Sequence, residues 1–168
     1  MGEDRLKKEI ESLSPAERRE LFSWLKEIVL EEQSGEKRMT IVFDGGSRGN
    51  PGVGYGSYAI ILPGESPILT RLDFEGVLTN NQAEYKTLIE ALKGAERLLK
   101  ERGEDPKLWT LDVRGDSKLV INQVLGSWAA RNERLAALRD EAKHLMTRFG
   151  RVTLTHHPRD ESVKVLGH

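Results

Sequence analysis

The sequence has no cysteine among its 168 residues. Disulfide bonds, thiol catalysis and zinc sites built on thiolates are therefore excluded. It also has no apolar run near the roughly 18 residues that a membrane-spanning helix needs, and its N-terminus shows no signal-peptide core. These absences predict a soluble protein that does not insert into a membrane, and a reducing, cytoplasmic location fits them.

A polybasic tract is missing as well, and the net charge is only −1. The charge is uneven, because residues 1–36 carry six Lys or Arg and ten Asp or Glu, a net −4, which leaves +3 for residues 37–168. A phosphate-bearing partner would therefore be held by individually placed contacts more than by a strong overall field. The length and the 38% apolar content suit one core with a small appendage.

The appendage is predicted to be a helical hairpin over residues 1–37. Ser14 and Glu17 form a capping box at the start of its second helix, with Pro15 at the first helical position. That helix should run to about Gln33 and bury an apolar face made of Leu21, Phe22, Trp24, Leu25, Ile28 and Val29. Three roles stay open for this hairpin: packing on the core, binding a protein partner, or self-association.

The remainder, residues 38–168, is predicted to form an α/β domain. Strands are expected near 39–44, 54–62, 68–75, 108–113 and 151–156, and helices near 81–101, 117–125 and 134–148. The first three strands should form an antiparallel meander, and the long helical connections after them imply parallel crossovers. The predicted architecture is a five-stranded mixed sheet flanked by helices.

Three carboxylates stand where the chain leaves regular structure. Asp44 ends the first strand before a Gly-rich turn, Asp116 follows the fourth strand, and Glu84 lies in the first turn of a helix. If the two strands are parallel neighbours, Asp44 and Asp116 open into the same crevice beyond their carboxyl ends. Three carboxylates at one locus repel, which indicates a hard divalent cation such as Mg²⁺.

Each acid also has a purely structural explanation. Asp44 could begin an Asx turn, Asp116 could cap the helix after it, and Glu84 could complete a capping box that begins at Asn81. The spacing alone leaves both explanations open.

The motifs DGGSRGNPG, TNNQAEY, GDSKLVINQV and THHPRDES, in this order, resemble those of type 1 ribonuclease H, which cleaves the RNA strand of RNA/DNA hybrids. The resemblance covers about residue 39 to the C-terminus. It implies a ribonuclease H-like fold, with two Mg²⁺ ions, or Mn²⁺ in their place, held by Asp44, Glu84 and Asp116. It also implies hydrolysis that leaves 5′-phosphate and 3′-hydroxyl ends.

The resemblance further implies contacts with the hybrid. The residues concerned are Ser47, Gly49 and Asn50 along the minor groove, Asn80 at the RNA strand, and Thr79 and Asn81 at a DNA phosphate. Trp128 lies in a short connection where it could touch substrate or equally be a core aromatic. His156 is implied to assist proton transfer or product release, a task that suits imidazole near neutral pH.

The fourth carboxylate of the family is where this sequence departs from the pattern. Aligning PRDESVKVL with the family motif puts Leu166 where that acid belongs, and the closing helix of the fold is expected to be nearly absent. Three explanations remain open. Asp160, Glu161 or His168 replaces the acid; substrate phosphate completes the coordination; or the protein is a hybrid-binding module with weak or no cleavage.

Overall fold

The structure is a computed structural model that describes residues 2–33 and 37–167, with side chains described over residues 2–28 and 37–167. The chain divides into two compact units, Met1–Glu36 and Lys37–His168. Its helices are α1 (Gly2–Glu11), α2 (Pro15–Gln33), α3 (Asn80–Glu101), α4 (Lys118–Leu125), α5 (Glu133–Met146) and α6 (Arg159–Leu166). Its strands are β1 (Arg38–Arg48), β2 (Gly52–Ile61), β3 (Ile68–Leu78), β4 (Thr110–Gly115) and β5 (Arg151–His156).

The first unit contains the two predicted helices and the predicted capping box. The Ser14 hydroxyl accepts a hydrogen bond from the Glu17 amide at 3.2 Å, and the Glu17 carboxylate accepts one from the Ser14 amide at 3.1 Å. Arg18 closes the other side of the turn, because its guanidinium donates to the backbone carbonyls of Ile10 and Glu11. The turn between the helices is therefore fixed from both ends.

The predicted burial along α2 is wrong for three side chains. Phe22, Trp24 and Leu25 are exposed by 41% to 67%, whereas Leu21 and Ile28 are half-buried. The side chain of Val29 lies outside the described residues. The physical reason is size: α1 has no buried residue along its length, so the described side chains of this unit form no interior that could take a complete apolar face.

The second unit contains the predicted five-stranded mixed sheet, with strand order β3-β2-β1-β4-β5. β1, β2 and β3 pair antiparallel as the predicted meander, and β4 is parallel to both β1 and β5. Alternate residues of β1 point to opposite faces. Ile41 and Phe43 join the main core with α3, α4 and α5, while Val42 faces the other side, where α6 lies.

The closing helix is short but present, since α6 spans the eight residues Arg159–Leu166 and Gly167, with φ of 81°, is its C-cap. The expectation that this helix is nearly absent is therefore wrong in part. Leu166 is only 2% exposed and packs against Val42 and Ala59 of the sheet. Within the described parts of the chain, no helix combines the length and the apolarity that crossing a bilayer requires.

Candidate active site

The register between β1 and β4 brings two of the acids together. Phe43 and Gly115 are the last residues paired between these parallel strands, and the next residue along each chain is an acid, Asp44 or Asp116. β1 itself continues to Arg48 and keeps its pairing with β2. The predicted strand end and Asx turn at Asp44 are therefore wrong, because only the pairing with β4 stops there.

The third acid arrives through a close approach of α3 to the sheet. A Cβ atom at Gly45 would lie 2.6 Å from the carbonyl oxygen of Ala83, and one at Gly56 would lie 2.0 Å from Oγ1 of Thr87. The missing side chains let the helix lie directly on the strands. As a result, Oε2 of Glu84 accepts a hydrogen bond from the backbone amide of Gly45 at 3.1 Å.

The first capping explanation is wrong for α3. Thr79 is the N-cap: its hydroxyl accepts from the Gln82 amide at 3.1 Å, and the Gln82 side chain accepts from the Thr79 amide at 2.9 Å. Asn81 is therefore inside the helix, and Glu84 lies beyond its first turn. The carboxylate of Glu84 takes no part in the cap.

The second capping explanation is wrong for α4. Ser117 is its N-cap, and the Ser117 hydroxyl accepts from the Val120 amide at 3.3 Å. Asp116 stands one residue before the cap. Neither Asp116 nor Glu84 is thus needed to start a helix, which leaves both carboxylates for another task.

The three carboxylates converge, because one oxygen from each of Asp44, Glu84 and Asp116 lies within 4.8 Å of the other two. Glu84 is buried, and the other two are half-buried. Burial, together with repulsion from Asp44 and Asp116, raises the pKa of Glu84 to about 9. Without a cation, Glu84 therefore keeps its proton at neutral pH. A divalent ion would replace that proton and offset the repulsion, so this all-oxygen donor set fits a hard cation and could hold one.

A fourth ligand is not found among the residues that the structure describes. Asp160 and Glu161 lie exposed in the first turn of α6, outside the group of three. His168 lies outside the described residues. Leu166, at the position where the family pattern expects the acid, is buried against the sheet.

The acids line a cleft of about 470 Å³. The other residues around it are Gly45, Gly46, Ser47, Tyr55, Asn80 and Arg159. The sequence reasoning missed Tyr55 and Arg159. The signal for Tyr55 was the tight turn between β1 and β2, whose register sets it opposite Gly46.

A polar network joins three of the residues predicted to touch the hybrid. The amide and the hydroxyl of Ser47 both donate to Oδ1 of Asn80 at 2.9 Å. The amide of Asn80 donates in turn to Oδ1 of Asn50 at 3.1 Å. Gly49, with φ of 86°, lies in the turn that presents Asn50. The network ties the end of β1 to the start of α3.

The remaining predicted contacts lie elsewhere. Thr79 lines a second cleft, of about 630 Å³, together with Asn132 and Arg134, and Asn81 is half-buried in the first turn of α3. Trp128 is 48% exposed, which rules out the core-aromatic alternative.

The two adjacent histidines have different environments. His156 is the exposed last residue of β5, and its Cα pairs with that of Gly115. His157 is buried, with Nε2 2.7 Å from Oγ of Ser162, and burial lowers its pKa although the charge of Asp116 opposes that shift. His156 is the one whose ring is open to solvent.

Residues 43–165, which include all three acids, match the family model described as reverse transcriptase-like. The chain belongs to this family. Ribonuclease HI of Halobacterium salinarum is 37% identical over 122 residues, which are 73% of this chain and 57% of that protein. The bifunctional protein Rv2228c of Mycobacterium tuberculosis is 34% identical over 123 residues, or 73% of this chain and 32% of that protein. The matched residues thus span between about a third and little more than half of the length of these curated relatives.

Solved structures of two relatives have the same fold as this family member. RNase H1 of H. salinarum NRC-1 superposes with a TM-score of 0.66 at 33% identity, covering 76% of this chain and 91% of that one. LC11-RNase H1, solved in complex with an RNA/DNA hybrid, gives a TM-score of 0.66 at 26% identity, with coverage of 76% and 90%. The predicted resemblance to type 1 ribonuclease H and its fold is confirmed.

Proposed function

We propose that this family member is an endoribonuclease that hydrolyses the RNA strand of RNA/DNA hybrids and leaves 5′-phosphate and 3′-hydroxyl ends. The observation that carries the proposal is the convergence of three carboxylates within 4.8 Å of one another beside an open cleft. They come from β1, from α3 and from the residue that directly follows β4. LC11-RNase H1, which shares this fold, was solved with an RNA/DNA hybrid, and that supports the choice of substrate.

Two divalent ions, Mg²⁺ or Mn²⁺ in its place, would be held by Asp44, Glu84 and Asp116. When bound, they would supply a nucleophilic water at neutral pH and neutralise charge on the leaving oxygen. Glu84 would give up its proton as a cation enters, since opposite charge favours the ionised form. The amide of Gly45 holds the carboxyl group of Glu84 in place, so this ligand is oriented before any cation binds.

The hybrid would be positioned by the network of Ser47, Asn50 and Asn80. Because the Ser47 hydroxyl donates to Asn80, its oxygen lone pairs stay available to accept from a ribose 2′-hydroxyl. Gly49 would let the turn pass close to the minor groove. These contacts favour an RNA strand, since DNA lacks the 2′-hydroxyl.

The DNA strand would lie at the start of α3, where Thr79 and Asn81 stand. Helix N-termini favour phosphate, and Arg134 lines the same cleft as Thr79. Trp128 would offer an exposed aromatic surface to the hybrid. His156 would transfer a proton during cleavage or product release. Its side chain is exposed, and on the neighbouring strand it pairs with Gly115, the residue just before Asp116.

The alternative is a hybrid-binding module with weak or no cleavage. One observation favours it: the described residues provide no fourth Asp, Glu or His in the acid group. Substrate phosphate would then have to complete the coordination, or catalysis would be poor.

A cleavage assay separates the two. The full chain is mixed with an end-labelled hybrid in series of Mg²⁺ and Mn²⁺ concentrations, and binding is followed in parallel by fluorescence anisotropy. Asp44→Asn should lower cleavage by far more than tenfold while the fold is retained, and Asp73→Asn, at an exposed position on β3, should not. A loss above tenfold corresponds to more than about 1.4 kcal/mol of barrier.

Cleavage within tenfold of the parent in Asp44→Asn would overturn the site assignment. Binding without cleavage in either metal would favour the binding module. Neither binding nor cleavage of the hybrid would refute both functions.

We also propose that the unit of residues 1–36 contacts a protein partner or a second copy of the chain through the exposed Phe22, Trp24 and Leu25. Apolar side chains grouped on one helix are typical of contact surfaces.

Removal of residues 1–36, which leaves the Lys37–Glu104 ion pair intact, should preserve hybrid cleavage. Light scattering measures the molar mass of the full chain and of Trp24→Ser and so tests self-association. If both proteins have the mass of a monomer, the partner can only be a different protein.

A further inference from the structure

Tyr55 lies in the acid cleft, and the function proposed above gives it no role. On β2 it pairs with Gly46, which follows Asp44 by two residues on β1. Side chains two residues apart on a strand share a face, and directly opposed residues share it too. Tyr55 is therefore on the same face of the sheet as Asp44, and both line the same cleft.

The ring of Tyr55 reaches across β1. A Cβ atom at Gly46 would lie 2.8 Å from the Tyr55 hydroxyl oxygen and 3.0 Å from Cζ. The end of the ring thus occupies the space that a side chain at Gly46 would fill. Because position 46 is glycine, the hydroxyl can lie over the backbone of β1 instead of pointing away from the cleft.

The Tyr55 hydroxyl is free to bind a ligand. Tyr55 is 37% exposed, and within the described residues its hydroxyl has no hydrogen-bond partner. Its neighbour Ser47, by contrast, already donates to Asn80. A phenol hydroxyl can donate one hydrogen bond and also accept, while its ring offers an apolar surface.

We infer that the Tyr55 hydroxyl hydrogen-bonds a ribose 2′-hydroxyl of the RNA strand and helps the protein to distinguish RNA from DNA. This rests on the proposed function. Gly46 is about 7 Å along the strand from Asp44, so the ribose concerned belongs to a nucleotide beside the phosphate at the acids. A 2′-hydroxyl both donates and accepts, as the phenol does. A deoxyribose there would leave the Tyr55 hydroxyl unpaired.

The first test measures binding, so it does not depend on cleavage. In the Asp44→Asn background, dissociation constants are measured for an RNA/DNA hybrid and for the all-DNA duplex of the same sequence. Adding Tyr55→Phe should weaken hybrid binding about three- to tenfold and leave the DNA duplex unchanged. Tyr58→Phe is the matched control, because it removes a hydroxyl from the same strand at a buried position in the main core.

The second test uses the chain with Asp44 intact and a hybrid cut at a defined bond. Replacing single riboses near that bond by deoxyribose should lower kcat/KM at one position by the same factor as Tyr55→Phe. The two changes together should cost no more than either alone. Tyr55→Ala should lose more than Tyr55→Phe, because the ring surface is lost too.

A hybrid-to-DNA preference that stays within twofold of the parent in Tyr55→Phe would overturn the inference. So would an equal loss on both duplexes, which would make Tyr55 a contact without sugar selectivity. If the parent binds hybrid but does not cut it, the proposed cleavage fails and the binding preference still decides the role of Tyr55. If the parent shows no preference for hybrid over DNA, the inference about Tyr55 fails, and the cleavage assay alone then decides the proposed function.

Discussion

The hydroxyl of Tyr85 donates a hydrogen bond of 2.6 Å to Oε1 of Gln123, and both side chains are buried. Nε2 of Gln123 continues the chain to the carbonyl of Ala129 at 3.4 Å. Tyr85 follows Glu84 on α3, whereas Gln123 lies on α4, the helix that begins just after Asp116. The bond therefore holds together the two helices next to the acids.

Tyr85→Phe tests this link. It leaves the side-chain oxygen of Gln123 buried without a donor, which should lower the free energy of unfolding by about 1–3 kcal/mol. Urea denaturation measures the loss. Tyr58→Phe removes a hydroxyl that has no partner among the described residues and should cost less. Equal losses in the two variants would show that the Tyr85–Gln123 bond contributes nothing specific.

Glu84→Gln should change how stability depends on pH in the absence of divalent ions. The pKa of Glu84 is about 9 in the folded protein against an ordinary 4.5, so between these values the folded chain holds a proton that the unfolded chain has released. The free energy of unfolding therefore falls as pH rises, by on the order of 1 kcal/mol per pH unit from this group.

Gln does not titrate, so Glu84→Gln should gain stability relative to the parent as pH rises through that range. Thermal or urea unfolding in EDTA at several pH values measures the difference. If the free energy of unfolding changed with pH in the same way in both proteins, the raised pKa of Glu84 would be contradicted. Addition of Mg²⁺ should narrow the difference, since a bound cation favours the carboxylate.

Leu166→Asp should lower the free energy of unfolding and should not restore a metal ligand. Leu166 packs against Val42 and Ala59, and an unpaired carboxylate there costs several kcal/mol. Val163→Asp, at an exposed position of the same helix, is the control and should be nearly neutral. Cleavage that rises or needs less metal in Leu166→Asp would mean that residue 166 reaches the acids after all.

The adjacent histidines should separate into a catalytic and a structural residue. His156→Ala should lower kcat while the free energy of unfolding stays near that of the parent, because the ring is exposed. His157→Ala should lower stability by about 1–3 kcal/mol, since the buried hydroxyl of Ser162 loses its partner. Unfolding curves and pH–rate profiles of both variants measure this. If His157→Ala lowered kcat and His156→Ala lowered stability, His157 would be the catalytic residue and His156 the structural one.

The sheet was predictable because its strands alternate apolar and polar residues over enough length to be distinguished from helices. The end of β1 was not. Gly45 and Gly46 are typical of a turn, yet they pair with Gly56 and Tyr55 of β2, eleven and nine residues further along the chain. The two glycines therefore indicated a strand end at Asp44, although Asp44 lies within β1.

The identity of the acids was predictable, but their surroundings were not. Thr79 and Asn81 both begin a plausible capping box, and only the packing of α3 on Gly45 decides between them. Tyr55 lies in the cleft because the register between β1 and β2 sets it opposite Gly46, and the tight turn between these strands indicates their pairing without fixing that register. The burial of Leu166 likewise depends on where α6 crosses the sheet.

The pairing of Phe43 with Gly115 makes the length of β4 a condition for function. Insertion of a single residue between Leu111 and Gly115 would shift every later side chain of the strand to the opposite face. The apolar composition would survive, but Asp116 would no longer stand beside Asp44. An insertion or a deletion within this strand should therefore separate the acids even where it leaves the core apolar.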